Sequence, residues 1–261
     1  MTGRVVTITS GKGGVGKTTT TANLGVSLAL QNHRVIVIDA DIGLRNLDLV
    51  MGLENRIVYD MVDVVEGRCS LRQATVKHKD YPHLYLLPAS QTRDKTAITP
   101  DNMRMICAEL KDDNDFILID SPAGIEWGFK NAIAPADEAI IVTNPEVSSV
   151  RDADRIIGLI EAEEDPVRSW LIVNRVKPNM VRRGEMLSVK DVVSLLAIKL
   201  LGVIPDDDVV VRSSNEGIAV TGKTREAFDA IARRLNGESV PVETYENGGS
   251  FFGRFLKLFS N

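Results

Sequence analysis

The stretch Gly11-Lys12-Gly13-Gly14-Val15-Gly16-Lys17-Thr18 decides the fold of this chain. It matches GxxxxGK[ST], a glycine-rich loop that joins a β-strand to an α-helix and binds phosphate groups. The flanks have the required form, because an apolar strand is predicted over Val5–Thr9 and a helix over Thr18–Leu30. A glycine-rich turn that happens to contain a lysine is the alternative, and this register of strand, loop and helix disfavours it.

The loop chemistry predicts a site for nucleotide phosphates with Mg²⁺. Glycines let the backbone approach the phosphates, and the N–H groups of the loop and of the helix start point at the anion. Lys17 is expected to neutralise the β- and γ-phosphates, and the Thr18 hydroxyl to hold the metal ion. The residues predicted to contact the nucleotide here are Gly11, Lys12, Gly13, Gly14, Val15, Gly16, Lys17, Thr18 and Thr19.

Short apolar runs and helix-like stretches alternate along the rest of the chain. The runs are apolar nearly throughout, which is typical of strands covered on both faces. The predicted fold class is therefore α/β, a mostly parallel twisted sheet with helices on both faces as in P-loop NTPases, plus a C-terminal amphipathic helix. Further strands are predicted at Val35–Ile38, Leu84–Leu87, Phe116–Ile119, Ala139–Thr143, Leu171–Val173 and Leu201–Ile204, and further helices at Asp101–Leu110, Val150–Ala162, Val189–Leu196 and Arg225–Leu235.

Three aspartates follow predicted strands. Asp120 ends the run Phe116–Ile119, and Asp39 and Asp41 come directly after Val35–Ile38. In an open α/β sheet, ligands bind at the carboxyl ends of the strands. Each acid alone could be an ordinary loop residue, but together with the P-loop they predict carboxylates beside the metal ion and the phosphates.

Composition limits the class of protein. The chain has 261 residues, 44% of them hydrophobic and 26% charged, which is ordinary globular composition. The formal charge of −5 argues against a generally basic nucleic-acid binder, so no specific nucleic acid is expected. The two cysteines form no CxxC site, no signal sequence opens the chain, and no apolar run is long enough to span a membrane, so the cytoplasm is predicted.

Four of the seven phenylalanines lie in the last eleven residues. The apolar spacing there predicts one face of a helix with basic residues at its margin, and this suits a helix lying in the interface of an anionic membrane. Docking back onto the core is the alternative. We predict an ATPase domain over residues 1–235, a flexible linker over 236–249 and a membrane-targeting helix over 250–261. The predicted membrane contacts are Phe251, Phe252, Arg254, Phe255, Leu256, Lys257, Leu258 and Phe259.

Lys12 makes the loop KGGVGKT, which resembles the deviant Walker A loop of the ParA/MinD family of P-loop ATPases. That family includes the nitrogenase iron protein, plasmid-partition ATPases and regulators of the division site. Within it the chain is most similar to the division-site regulators, and the likeness covers nearly the whole chain. The segments that carry it are Asp39-Ala-Asp-Ile-Gly-Leu-Arg-Asn-Leu-Asp48, Leu87-Pro-Ala-Ser-Gln-Thr-Arg-Asp-Lys95, Asp120-Ser-Pro-Ala-Gly-Ile-Glu126 and Thr143-Asn-Pro-Glu-Val-Ser-Ser-Val-Arg-Asp152.

The resemblance implies roles for particular residues. Lys12 would cross an ATP-dependent homodimer to the partner's nucleotide, as an arginine finger does. Asp41 would position the attacking water, so that Lys12, Lys17 and Asp41 form the implied catalytic set. Thr18, Asp39 and Asp120 would support Mg²⁺. Contacts to the adenine base are implied for Asn174, Arg175, Pro205 and Asp207, with a strand-end polar residue and a turn proline as the plainer interpretations of Asn174 and Pro205.

The resemblance also implies partners, namely a MinC-type division inhibitor and a MinE-type activator of hydrolysis, on the cytoplasmic face of the inner membrane. The helix that contains Arg151 and Asp154 would carry their binding surface, although its periodicity alone indicates only a charged solvent-exposed face. Trp127 and Phe129 are either an interaction site or core, and His33, His78 and His83 are predicted to lie on the surface. The predicted partner-binding residues are Asn46, Glu126, Ser148, Arg151, Asp152 and Asp154.

Three other functions stay open on the sequence. A DNA-partition ATPase is disfavoured by the charge of −5, or −7 once Arg254 and Lys257 are set aside. An iron–sulfur reductase needs cysteines near the dimer axis, and none occurs in Ser121–Phe129. A membrane-bound regulator of flagellar number shares the logic of the tail and is the hardest to exclude.

Overall fold

The computed structural model describes residues 2–163 and 167–245. Within them, eight strands form one sheet in the order β3-β4-β2-β5-β1-β6-β7-β8. Every neighbouring pair is parallel except the antiparallel pair formed by β3 and β4. The strands are β1 Arg4–Thr9, β2 Val35–Asp39, β3 Val76–Lys77, β4 Leu84–Leu87, β5 Phe116–Asp120, β6 Glu138–Thr143, β7 Arg168–Val176 and β8 Lys199–Pro205.

Helices cover both faces of this sheet. In the described part of the chain they are α1 Lys17–Leu30, α2 Leu47–Val50, α3 Met61–Val65, α4 Leu71–Ala74, α5 Pro100–Leu110, α6 Trp127–Ile133, α7 Val147–Glu161, α8 Pro178–Arg183, α9 Val189–Leu196, α10 Asp208–Glu216 and α11 Gly222–Leu235. Two short 3-10 helices lie at Glu54–Arg56 and Lys95–Ala97. None of the helices in these ranges is both long and apolar enough to cross a bilayer.

The two faces of the sheet have separate cores because side chains alternate along each strand. In β2, Val35 and Val37 pack with α1 and α11 on one face, while Ile36 and Ile38 pack with α3, α4 and α5 on the other. A further cluster on β6 and β7 packs against α6, α7 and α9. Each fully buried aliphatic side chain contributes about 1.5–3 kcal/mol, so these clusters supply most of the favourable free energy of folding.

The predicted fold class is confirmed for the described residues. The predicted strands and long helices are present, with ends shifted by a few residues where caps decide them. For example, α5 begins at Pro100 rather than Asp101, because Thr99 and Asn102 form a capping box. Phe116, Phe129 and Phe228 are all buried, so Phe129 belongs to the core.

The chain beyond α11 follows the body closely as far as it is described. The Arg234 guanidinium donates hydrogen bonds to the carbonyl oxygens of Val240 and Pro241, and the Val242 and Tyr245 side chains pack against the third core cluster. The boundaries proposed at residues 235 and 249 stay predictions. The predicted membrane helix over 250–261 lies outside the described residues.

Candidate nucleotide-binding site

The P-loop lies at the carboxyl end of β1 and leads directly into α1. Gly16 is the N-cap of α1 and has φ +98°, a left-handed conformation that favours glycine. A β-carbon at Gly16 would lie 2.3 Å from the Asn174 side-chain nitrogen, and one at Gly11 would lie 2.2 Å from the Asp152 carbonyl oxygen. The loop is therefore held between the end of β7 and the helix α7.

Lys17 lies inside this loop rather than on its surface. Its side chain is buried, and its Nζ donates a hydrogen bond of 3.0 Å to Ser10 Oγ. Burial lowers the pKa of the Lys17 ammonium below its ordinary value, although the charges of Asp120 and Asp41 oppose that shift. No carboxylate within residues 2–163 and 167–245 forms an ion pair with this buried cation. It is therefore matched to an incoming anion, which is what the predicted phosphate role requires.

Two predicted metal-supporting acids face each other across neighbouring strands. Asp39 ends β2 and is the register partner of Asp120, which ends β5. Thr18 and Thr21 hydrogen-bond to the Asp120 carboxylate, with Thr21 Oγ1 at 3.2 Å. The Asp39 carboxylate accepts backbone N–H bonds from Asp41, Asn46 and Leu47, so it also shapes the loop that follows β2.

Burial raises the pKa of both acids. Burial and the charge of Asp39 raise the pKa of Asp120 to about 7. Burial also raises the pKa of Asp39 to about 6, although the backbone N–H bond from Asp41 acts to lower it. Two carboxylates that are costly to ionise side by side are stabilised by a cation placed between or beside them.

These residues fit Mg²⁺ held in the way that nucleotide-binding sites hold it. Mg²⁺ commonly keeps several waters and takes one or two carboxylates together with substrate phosphates. Thr18, Asp120 and Asp39 would supply such a partial ligand set next to the loop. Within residues 2–163 and 167–245, no group of three or more His, Cys, Asp or Glu side chains is arranged to hold a metal ion by itself.

The raised pKa values predict that the ligand-free protein loses thermal stability as the pH rises from about 5 to about 7. Over this range the folded state binds more protons at Asp39 and Asp120 than the unfolded chain does, so the free energy of unfolding falls with pH. Calorimetry should show Tm falling by about 5 °C or more. Asp120→Asn should flatten the trend, and Asp112→Asn, at an exposed acid, should not. A Tm that rises over this range would contradict the assignment.

Asp41 stands at the mouth of the site and is half-buried. Burial raises its pKa, and the positive charges of Lys95 and Lys17 oppose that rise. The carboxylate therefore lies within electrostatic reach of Lys17. It shares a small cavity with Lys95, Glu126 and Trp127.

The residues predicted to contact the base line one cavity of about 260 Å³ beside the P-loop. Asn174 is buried, and its amide nitrogen donates a 2.7 Å hydrogen bond to the Val15 carbonyl oxygen, so it braces the loop. Asp207 is the N-cap of α10, and hydrogen bonds from the Val209 N–H and the Thr224 hydroxyl hold its pKa below the ordinary value. The structure thus brings Thr19, Asn174, Arg175, Pro205 and Asp207 together, and their contacts with a base stay predictions.

Lys12 lies against its own chain. Its Nζ is 3.4 Å from Ser148 Oγ and 3.8 Å from Glu146 Oε2, both at the start of α7. Its side chain is 45% exposed, and exposed pairs of this kind contribute about 0–1 kcal/mol. Such weak contacts leave Lys12 free to move to another anion.

The residues predicted to bind partners lie on exposed or half-exposed positions around this end of the molecule. Ser148, Arg151 and Asp154 lie on the solvent side of α7, while Val150, Ala153 and Ile157 fill its core side. Asp152 is half-buried beside the P-loop and lies 3.8 Å from Arg155. The set as a whole is Asn46, Glu126, Ser148, Arg151, Asp152 and Asp154.

Two side chains of the site had no predicted role, and the predicted position of one histidine was wrong. Ser10 and Thr21 hydrogen-bond to Lys17 and Asp120, and their positions next to the motif were the available signal. His78, predicted to lie on the surface, is buried, and its Nδ1 accepts the backbone N–H groups of Asp80 and Tyr81. Trp127 was considered as either an interaction site or core. Its side chain is 45% exposed, and its indole N–H donates a hydrogen bond to the Ile98 carbonyl oxygen.

The parallel sheet, the glycine loop at the end of its central strand and the buried lysine with facing aspartates define a P-loop nucleotide-binding protein. Residues 6–220 match the model of the CobQ/CobB/MinD/ParA nucleotide binding domain. The chain belongs to that family, within its branch of septum site-determining MinD ATPases that act in cell division.

Individual relatives agree with this assignment over almost the full chain. The chain is 54% identical to the septum site-determining protein MinD of Bacillus subtilis, covering 96% of this chain and 98% of that one. A MinC:MinD cell division protein complex of Aquifex aeolicus contains a chain that is 48% identical, with a TM-score of 0.86 over 94% of this chain and 100% of that chain. The MinD of Pyrococcus horikoshii, solved with Mg-ADP, is 31% identical with a TM-score of 0.80, covering 89% of this chain and 96% of that one.

Proposed function

We propose that this chain binds ATP with Mg²⁺, forms a homodimer in that state, attaches to the cytoplasmic face of the inner membrane and hydrolyses ATP to leave it. The observation that carries the proposal is the cluster of buried Lys17, facing Asp39 and Asp120, and Asp41 around a strand–loop–helix phosphate site. The Mg-ADP complex of the Pyrococcus horikoshii relative supports the choice of nucleotide and metal.

Hydrolysis would draw on residues already in place around the loop. The backbone N–H groups of the loop and the Lys17 ammonium would bind the β- and γ-phosphates and stabilise charge that develops during transfer. Asp41 would orient the attacking water in line with the γ-phosphate. Asn174 would keep the loop in position through its hydrogen bond to Val15.

Thr18, Asp39 and Asp120 would hold Mg²⁺, largely through water in the case of the two acids. The ion supplies charge neutralisation at the phosphate oxygens. Binding it would relieve the cost of keeping two buried carboxylates ionised, which is the reason that the facing pair suits a cation.

Membrane attachment would depend on the predicted tail, residues 250–261. One short amphipathic helix binds a bilayer weakly and reversibly, whereas two tails on one dimer bind far more tightly because the second insertion is intramolecular. Joining two chains with ATP would therefore convert weak affinity into firm attachment, and hydrolysis would reverse it. We propose an ATPase domain over residues 1–235, a linker over 236–249 and a membrane-targeting helix over 250–261.

The partners that fit the proposal are a MinC-type inhibitor, recruited to the membrane, and a MinE-type activator of hydrolysis. The Aquifex aeolicus relative in a MinC:MinD complex supports the first of these. The exposed charged side of α7 next to the P-loop is the surface we assign to them, because a partner bound there would respond to the state of the loop. The residues proposed for partner binding are Asn46, Glu126, Ser148, Arg151, Asp152 and Asp154.

Vesicle sedimentation tests the ATP-dependent attachment to the membrane. With anionic vesicles, the full chain is expected to pellet at least about tenfold more with ATP than with ADP, since only the dimer presents two tails. Deleting residues 250–261 should abolish pelleting while soluble ATP binding is retained. Equal pelleting under all three conditions would contradict the proposal.

A further inference from the structure

A second large cleft lies at the amino ends of β6, β7 and β8, at the opposite end of the sheet from the P-loop. It encloses about 680 Å³. Its walls are formed by Arg168 and Trp170 at the start of β7, Lys199 at the start of β8, and the segment that follows α11. Neither the phosphate site nor the base cavity includes any of these residues.

The acids of the cleft are already paired. Glu138 accepts hydrogen bonds from the Arg4 guanidinium and from the Trp170 indole N–H. Glu238 accepts a hydrogen bond of 2.7 Å from Arg233 Nε. Negative charge in this cleft is therefore largely neutralised.

Two exposed cations remain available. The Arg168 guanidinium carbon lies 5.8 Å from the centre of the Trp170 ring, and Lys199 Nζ lies 4.9 Å from the same ring. Among the described residues, neither side chain forms an ion pair with a carboxylate. The cleft thus presents two positive charges beside one amphipathic aromatic ring.

The chain leaves the body beside this cleft. The Arg234 guanidinium fixes the path of residues 240 and 241, and Val242 contributes to the wall of the cleft. Tyr245 is the last described residue and packs on the body. Five residue steps separate it from Ser250, and such a stretch spans at most about 18 Å. Ser250 therefore lies within about 18 Å of Tyr245, three residues after Val242 in the wall of the cleft.

We propose that the cleft formed by Arg168, Trp170 and Lys199 contacts anionic phospholipid headgroups when the tail binds the membrane. This rests on the membrane attachment proposed above and adds a headgroup site on the folded body. Cations near an anionic bilayer are attracted to it, and a tryptophan with its indole N–H bonded suits the polar interface. The site would orient the body on the bilayer as well as strengthen its attachment.

The test is sedimentation of the full-length Arg168→Gln/Lys199→Gln variant with ATP. Each lost cation is expected to weaken binding to phosphatidylglycerol-containing vesicles about fivefold, so the pair should weaken it at least about tenfold. On vesicles of phosphatidylcholine alone, the variant and the wild type should bind alike. The charge-retaining variant Arg168→Lys/Lys199→Arg should pellet as the wild type does.

A matched control removes the same charge at the other edge of the sheet. Arg72 and Lys77 are exposed cations lining a cleft at the β3–β4 edge, and Arg72→Gln/Lys77→Gln should leave vesicle binding unchanged. Wild-type ATP binding in solution and an unchanged Tm show that each variant is folded. Binding of the Arg168→Gln/Lys199→Gln variant at the wild-type level would overturn the headgroup site.

The two proposals fail in different ways. If wild type and the 250–261 deletion pellet equally, membrane attachment through the tail is wrong and the headgroup site falls with it. If the deletion loses binding but Arg168→Gln/Lys199→Gln keeps it, only the headgroup site is wrong, and the cleft becomes a candidate for an acidic protein segment instead.

Discussion

Replacing Asp41 with alanine or asparagine is expected to slow ATP hydrolysis by about 10²–10⁴-fold while ATP binding is retained. Asp41 is the half-buried acid at the mouth of the site, and burial raises its pKa against the charges of Lys17 and Lys95. In the proposed function it orients the attacking water, whereas the loop and Lys17 would supply most of the phosphate affinity. Loss of the carboxylate should therefore affect the chemical step more than binding.

Single-turnover hydrolysis and equilibrium binding of a fluorescent ATP analogue separate these effects. The asparagine variant preserves size and removes the charge, so it tests the carboxylate rather than the packing. Asp112→Asn, at an exposed acid in the loop between α5 and β5, should hydrolyse ATP at the wild-type rate. If Asp41→Asn keeps its rate, or loses ATP binding to the same extent as hydrolysis, the water-positioning role is wrong.

The vesicle behaviour of this variant follows from the same argument. A chain that binds ATP but hydrolyses it slowly should remain dimeric, so Asp41→Asn is expected to stay on anionic vesicles longer than the wild type after free ATP is removed. Faster release than the wild type would separate hydrolysis from membrane exit and contradict the proposed cycle.

The parallel sheet and the phosphate site could be predicted because their signals are local. The apolar runs at Val35–Ile38 and Phe116–Ile119 read as strands buried on both faces, and both end in an aspartate. The carboxyl ends of parallel strands lie at one edge of the sheet, so the placement of Asp39 and Asp120 at that edge follows from the sequence. Their direct pairing depends on the order of the strands, which the sequence does not show. The glycine motif then places Lys17 at the same edge.

What could not be predicted depends on contacts between distant segments. The helix α10 contains the β-branched run Val209–Val211, which favours a strand, and it forms because Asp207 caps it and bonds to Thr224 of α11. His78 is buried, packs against the Tyr81 ring and accepts hydrogen bonds within its own turn, and the polar composition of this segment gives no signal for that arrangement. Asn174 reads as a strand-end polar residue, and its bond to Val15 across 159 positions shows itself only once the chain has folded.

Replacing Lys12 with alanine is expected to prevent the ATP-dependent dimer and to lower hydrolysis about 10³-fold, while leaving ATP bound to the single chain. A cation supplied across an interface to a phosphoryl group is worth about 10³–10⁵ in rate in enzymes that use one. Lys17 and the loop amides are untouched in this variant, so binding by one chain should persist. Light scattering with ATP measures the mass, and steady-state phosphate release measures the rate.

The contacts of Lys12 within its own chain decide how this result is interpreted. If Lys12 acted only by holding α7 through Glu146 and Ser148, then Glu146→Gln should reproduce part of the defect, because it removes the carboxylate that Lys12 contacts. Exposed ion pairs of this kind are worth about 0–1 kcal/mol, so we expect Glu146→Gln to form the dimer and to hydrolyse ATP within about fivefold of the wild type. If Lys12→Ala forms a dimer with ATP, Lys12 does not act across the dimer interface. A large defect in Glu146→Gln would place its role inside one chain instead.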